Sequence, residues 1–113
     1  MKHLFLSLAI FASVCAAAQS GKYTDAMNKA FAMMDSAKNT ADFQAAAAAF
    51  ERIGDAEKTQ WLPYYYAGLC LTFPAWIDQN LDKDANSEKI KALCDKAESL
   101  ASTDADKSEI EAV

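Results

Sequence analysis

The stretch DFQAAAAAFERIG, Asp42 to Gly54, decides the fold when read with WLPYYYAGLCL, Trp61 to Leu71, which follows across a short polar loop. Phe43, Ala46, Phe50 and Ile53 are spaced by three, four and three residues, which puts them on one face of a helix. Gly54 is expected to end that helix, since glycine readily takes the left-handed conformation that closes a last turn. Pro63 suits the first turn of the next helix, where no backbone donor is needed. Within that helix Tyr64, Ala67, Gly68 and Leu71 step by three, one and three, and Pro74 marks its expected end. Two amphipathic helices joined by a tight connection read as an all-α fold of antiparallel hairpins.

Ala46, Phe50 and Ile53, followed by Tyr64, Ala67, Gly68 and Leu71, resemble the tetratricopeptide repeat (TPR) family, whose unit of about 34 residues opens on W-x2-L-G-x2-Y. Gly68 falls 22 residues after Ala46 and 15 after Ile53, the phase that family requires. Stepping back one unit predicts Ala30, Met33, Met34 and Ala37 as buried positions of the preceding helix, and all four are apolar. Ala41-Asp42-Phe43 stands where the family has G-D-Y. Tyr64 replaces the usual Trp, Ala67 the Leu and Leu71 the Tyr, so the match is one of residue character, strongest from Asp25 to Leu71.

The resemblance implies a short TPR-like solenoid of stacked helical hairpins that binds a protein or peptide partner and carries no catalysis. It also implies a concave groove lined by the first helix of each repeat. The matching positions are Asn28, Phe31, Asp35 and Lys38, then Leu62, Tyr65, Leu69 and Thr72. A second reading has Phe31 and Leu69 packing against a further helix. The same two hairpins could also be the helical amino-terminal part of an exported enzyme or transport subunit.

Ahead of this unit, Met1 to Ala18 reads as a secretory signal peptide. Lys2 supplies the positive end, Leu4 to Val14 the apolar run and Ala16-Ala17-Ala18 the small-residue cleavage site. An apolar run of that length is too short to span a bilayer, so no transmembrane helix is expected after cleavage. Val14 is larger than a lipoprotein signal accepts before its cysteine, which argues against anchoring through Cys15. The destination is periplasmic or extracellular. Residues 19–113 then form one small domain. Losing Lys2 takes the 11 basic residues to 10 against 16 acidic, a net charge of −6. A chain this acidic repels phosphate backbones, which excludes nucleic acid as a partner.

Helix 1 is expected from Thr24 to Lys38, capped by Thr24 or Ser20 with Asp25 near its positive end. A turn at Asn39-Thr40 leads into helix 2, which ends at Ile53, and helix 3 spans Leu62 to Thr72. Gly68, paired with Ala46, is expected to let helices 2 and 3 cross at close range. Phe73 to Asn86 breaks the phase: Ile90, Cys94 and Ala97 match Ala46, Phe50 and Ile53 at an offset of 44 residues. A ten-residue insertion follows from that offset, with a short helix over Ala75 to Leu81 and a cap for the next helix at Asn86 or Ser87. A last helix starts between Thr103 and Asp106, with Asp106 and Glu109 in capping-box spacing, and reaches Val113 without a stop signal. About two repeats are present, the second interrupted and expected to continue past Val113. A helical unit with an open end can also self-associate.

His3 leaves with the signal, so imidazole-based triads and His-ligated metal are absent from the mature chain. No cofactor is implied. Asp82, Asp84 and Asn86 copy the first three ligands of an EF-hand loop, but Ser87 replaces its glycine and Leu93 its bidentate glutamate. The segment reads as a solvated loop and helix cap, and no metal site is assigned. Cys70 and Cys94 are two small core residues or, in an oxidising compartment, a disulfide. Trp61, Tyr64, Tyr65, Tyr66, Phe73 and Trp76 make the second half of the hairpin unusually aromatic, dense enough for a peptide or carbohydrate platform.

Overall fold

The computed structural model describes residues 21–113; the signal peptide read over 1–18, with Cys15, lies outside the described residues. Among them the chain is all-α, without strands. It comprises α1 (21–36), α2 (Thr40–Glu57), α3 (Leu62–Ile77), α4 (Lys83–Leu100) and α5 (Asp104–Glu111). The helix at 21 already precedes Thr24, so Thr24 lies inside α1 and does not cap it. That helix ends at 36, short of Lys38.

Asn39 starts α2 by accepting a hydrogen bond from the Asp42 N–H at 2.9 Å. The Asp42 carboxylate reaches back to the Lys38 N–H at 3.1 Å, so two orphan donors of the turn are satisfied reciprocally. The end of α2 corrects the sequence reading. The helix runs through Gly54 to Glu57, and Lys58 takes the left-handed conformation at φ 64°, donating to the Gly54 carbonyl at 2.8 Å. Gly54 is helical and buried. A β-carbon there would sit 2.7 Å from Cζ of Tyr64, so glycine is present to admit that ring.

Pro63 lies buried in the first turn of α3, as expected. Pro74 does not end the helix; it lies inside it, buried, and α3 continues to Ile77. Lacking an N–H, Pro74 cannot pair with the Cys70 carbonyl four residues back. One residue along, the Leu71 carbonyl accepts a hydrogen bond at 2.8 Å from the Asn86 side-chain amide of α4. A neighbouring helix thus donates to the backbone beside the proline. Asn86 is therefore an interior residue of α4, and the cap is Asp82, which accepts from the Ala85 N–H at 3.0 Å. The phase break over residues 73–86 resolves into a longer α3, a connection at 78–82 and an earlier start of α4. No separate helix forms over 75–81. With Asp82 committed to a cap and Asn86 to Leu71, the calcium-like spacing has a structural explanation. Thr103 caps α5 by accepting from the Asp106 N–H at 3.1 Å, so Asp106 lies in the first turn and does not form a capping box with Glu109.

Adjacent helices pack in chain order, α2 on α3, α3 on α4 and α4 on α5. Ala46, Ala67 and Ala97 are fully buried, and their small side chains let the helix backbones approach. Phe50, Leu93 and Ile110 fill the space between them. Phe31 of α1 meets Phe50 and Tyr66 edge-on, with ring centroids 5.2 and 4.7 Å apart, and ties the first helix to the next two. Ala30 is buried and Met34 and Ala37 half-buried, whereas Met33 is 38% exposed. Met27, one turn before Ala30, is buried in the core, and Met34 packs against it. Gly68 also departs from expectation. The atoms nearest a β-carbon there would be Cys94 Sγ at 3.6 Å, Leu93 Cβ at 3.8 Å and Val113 Cγ1 at 3.9 Å, so it faces α4 and not the α2–α3 crossing.

Candidate functional site

The exposed end of α3 is the feature that packing leaves unexplained. Phe73 is 41% exposed, Ile77 58% and Trp76 87%, the last being the most exposed large apolar side chain among the described residues. The two ends of this strip are held. Phe73 stacks on Phe43 of α2 with centroids 5.1 Å apart. The Thr40 hydroxyl donates to the Asp78 carboxylate at 2.7 Å, joining the start of α2 to the end of α3. The other Asp78 oxygen accepts from the Asn80 N–H at 2.9 Å. Those two donors hold the Asp78 carboxyl below its ordinary pKa. Lys38, Asn39, Thr40 and Ala41 line a shallow depression with Ile77 and Asp78, directly beside the strip.

Of the groove positions implied by the repeat resemblance, Asn28 and Asp35 are exposed on α1, Lys38 is exposed in the turn that follows it, and Phe31 is half-buried against Phe50 and Tyr66. On α3, Leu62, Tyr65, Leu69 and Thr72 are each half-buried. Tyr65 lies edge-on to both Trp61 and Tyr66, at 5.7 and 5.1 Å. Burial and the nearby Glu109 of α5 raise the Tyr65 pKa. Thr72 turns its hydroxyl onto the Leu69 carbonyl at 2.7 Å. Lys38 is the position from this set that also borders the exposed end of α3.

A second polar cluster surrounds Tyr64. Its hydroxyl donates to Asp55 at 2.7 Å, and the Lys96 ammonium lies 5.3 Å from its ring centroid. Burial, reinforced by the Asp55 carboxylate, raises the Tyr64 pKa to about 12. Glu51 links the cluster to α4 through Lys89 at 3.0 Å and Lys96 at 3.5 Å. These contacts clamp α2, α3 and α4 together. Cys70 and Cys94 are free thiols. Burial raises the Cys70 pKa to about 11, far from the thiolate a nucleophile requires. No group of three or more His, Cys, Asp or Glu side chains that could hold a metal occurs among the described residues. No helix among them is long and apolar enough to cross a membrane.

No family model, curated protein or solved structure matches the chain.

The sequence marked Phe73 and Trp76 as part of an aromatic concentration without singling out either. The signal for the site is Trp76-Ile77 at the end of a helix, followed at once by the polar run Asp78-Gln79-Asn80. An apolar pair that precedes a polar connection has no later helical turn to cover it.

Proposed function

We propose that this chain is an exported, TPR-like helical scaffold that binds a protein or peptide partner at the free end of α3. The observation that carries the reading is the exposure of Trp76, with Ile77 and Phe73 beside it. An exposed tryptophan on a fixed helix presents a large contact area at little conformational cost, which is why tryptophan so often anchors protein interfaces. Thr40–Asp78 and Phe43–Phe73 support this by holding the strip in place before any partner arrives. Export is supported by the reading of Met1 to Ala18, and the repeat reading by successive helices that pack in chain order. Intact-mass measurement of the secreted protein, with a chain starting at Gln19 expected, tests export.

Peptide-display selection against the secreted protein tests the binding reading. Recovered peptides are expected to share an apolar consensus and to bind the Trp76→Ser variant at least tenfold more weakly, while Lys91→Ala binds as the parent does. Peptides indifferent to Trp76 but lost on Asp35→Ala or Lys38→Ala would move the site to the α1–α3 strip. A selection that enriches nothing would reject the scaffold reading.

A further inference from the structure

Two further grooves lie at opposite ends of the helix order. The first, about 460 Å³, is lined entirely by α1 and α2. Its floor includes Ala26, Ala30, Met33, Ala49 and Ile53, and its rim carries Lys22, Lys29 and Arg52. All three bases are exposed, and none forms an ion pair among the described residues. Three unpaired bases around one apolar groove stand out on a chain with a net charge of −5.

The second groove, about 390 Å³, is lined by α4, α5 and Val113. Ile90, Cys94 and Ile110 form its apolar part, and Asp95, Glu98 and Glu111 its rim. The base on this rim, Lys91, is already paired with Asp95 at 3.0 Å. The acid on the first rim is Glu57, so each end carries a minority charge of the sign the other end would attract. No residue of α2 or α3 contributes to the second groove, and none of α3, α4 or α5 to the first.

We infer that the occupant of the basic α1–α2 groove is a second copy of this chain, seated by its acidic α4–α5 end. Apolar floors of opposite rim charge on the two ends of one molecule make a heterologous, head-to-tail contact, which repeats from copy to copy instead of closing as a symmetric pair. Burial of Met33, Ala49 and Ile53 against Ile90 and Cys94 supplies the apolar contribution. The rims select the orientation, because head-to-head contact opposes three bases to three bases. The inference rests on helix order and rim charge, not on the Trp76 strip, which no residue of either groove includes.

Sedimentation velocity on the secreted protein, over a concentration series in low and in high salt, tests the inference. Association is expected in low salt and is expected to weaken at least tenfold in high salt, because exposed charges are screened beyond a Debye length of about 8 Å at physiological ionic strength. Lys29→Glu with Arg52→Glu makes both ends acidic; Glu98→Lys with Glu111→Lys makes the tail basic to match the head. Each double variant alone is expected to be monomeric with an unchanged circular dichroism spectrum. An equimolar mixture is expected to regain association, since each tail then meets a head of opposite charge. Trp76→Ser is expected to associate as the parent does. The inference is overturned by a parent that stays monomeric up to about 1 mM, the weak end of specific affinity. It is equally overturned by a tail variant that still associates alone, by a mixture that does not, or by loss of association in Trp76→Ser.

Discussion

The ring of Tyr64 occupies the space that a β-carbon on Gly54 would need, with Cζ, Cε1 and Cε2 at 2.7, 2.8 and 3.0 Å. The ring cannot simply swing away, because its hydroxyl is bonded to Asp55 and its face lies beneath Lys96. Gly54→Ala should therefore destabilise by about 1–3 kcal/mol, the usual cost of overpacking, despite a gain in helix propensity of about 1 kcal/mol. Gly68→Ala should do the reverse. Its new methyl meets Cys94 Sγ at an ordinary 3.6 Å, so the propensity gain survives. Leucine at Gly68 should cost about 1–3 kcal/mol by crowding Leu93 and Val113. Urea melts of the three variants check this ordering, and a Gly54→Ala protein more stable than Gly68→Ala would contradict the packing described.

Tyr64 also gives the fold a dependence on alkaline pH. Its pKa is raised to about 12 in the folded state, chiefly by burial, so the neutral phenol is the favoured form. Its contribution is fully present below the ordinary tyrosine value of about 10 and is lost as pH rises through the folded value. Tyr64→Phe should weaken the protein by about 1 kcal/mol at neutral pH, through loss of the Asp55 bond. It should also flatten the decline above pH of about 10. Tyr23, Tyr65, Cys70 and Cys94 are shifted upward too, so the parent-minus-variant difference is the quantity to follow in melts across that range. An identical decline in both proteins would remove Tyr64 as its cause.

Asn86 should matter far more than an exposed helix asparagine would. Removing its amide leaves the Leu71 carbonyl, one residue past the position that Pro74 cannot serve, without the donor from α4. Asn86→Ala should cost about 0.5–1.5 kcal/mol, the net contribution of one hydrogen bond. Pro74→Ala in the same background should recover part of that loss by restoring a regular backbone. Chemical denaturation of the two singles and the double gives the coupling, and additive effects would show that the two residues act separately.

The two thiols should differ in reactivity. Cys70 is fully buried with its pKa raised to about 11, while Cys94 is half-buried with a smaller upward shift caused by burial, Asp95 and Glu98. A thiol-specific reagent at neutral pH should label Cys94 slowly in the native protein and Cys70 only on unfolding, as read by peptide mapping. Faster labelling of Cys70 would contradict its burial.

Local sequence patterns carried much of the architecture. Phe50 and Ala46 fall on the buried face assigned to them, Pro63 opens α3, and α5 starts within the range expected for it. The misreadings share one physical cause. In an isolated helix Gly54 and Pro74 would each end it, which is the expectation their residue types carry. In the folded chain each is retained within a helix through a partner on another helix, the Tyr64 ring for Gly54 and the Asn86 amide beside Pro74. Treating Pro74 as a stop also displaced the start of α4, and so moved its cap from Asp82 to Asn86 or Ser87. Of the exposed strip, sequence conveyed the aromatic density. It could not convey that Trp76 extends past the last helix able to cover it.

Packing in chain order has a kinetic consequence. The principal helix contacts join neighbours in sequence, so little loop-closure entropy has to be lost before they form, and chains rich in local contacts fold in microseconds to milliseconds. Protection against amide hydrogen exchange should then be graded along the chain. It should be greatest in the middle of α3, which packs on both α2 and α4, and least in α5, an eight-residue helix resting chiefly on α4 through Ile110. Opening of α5 alone would bare the α4 face around Ile90 and Cys94 while leaving the other helices folded.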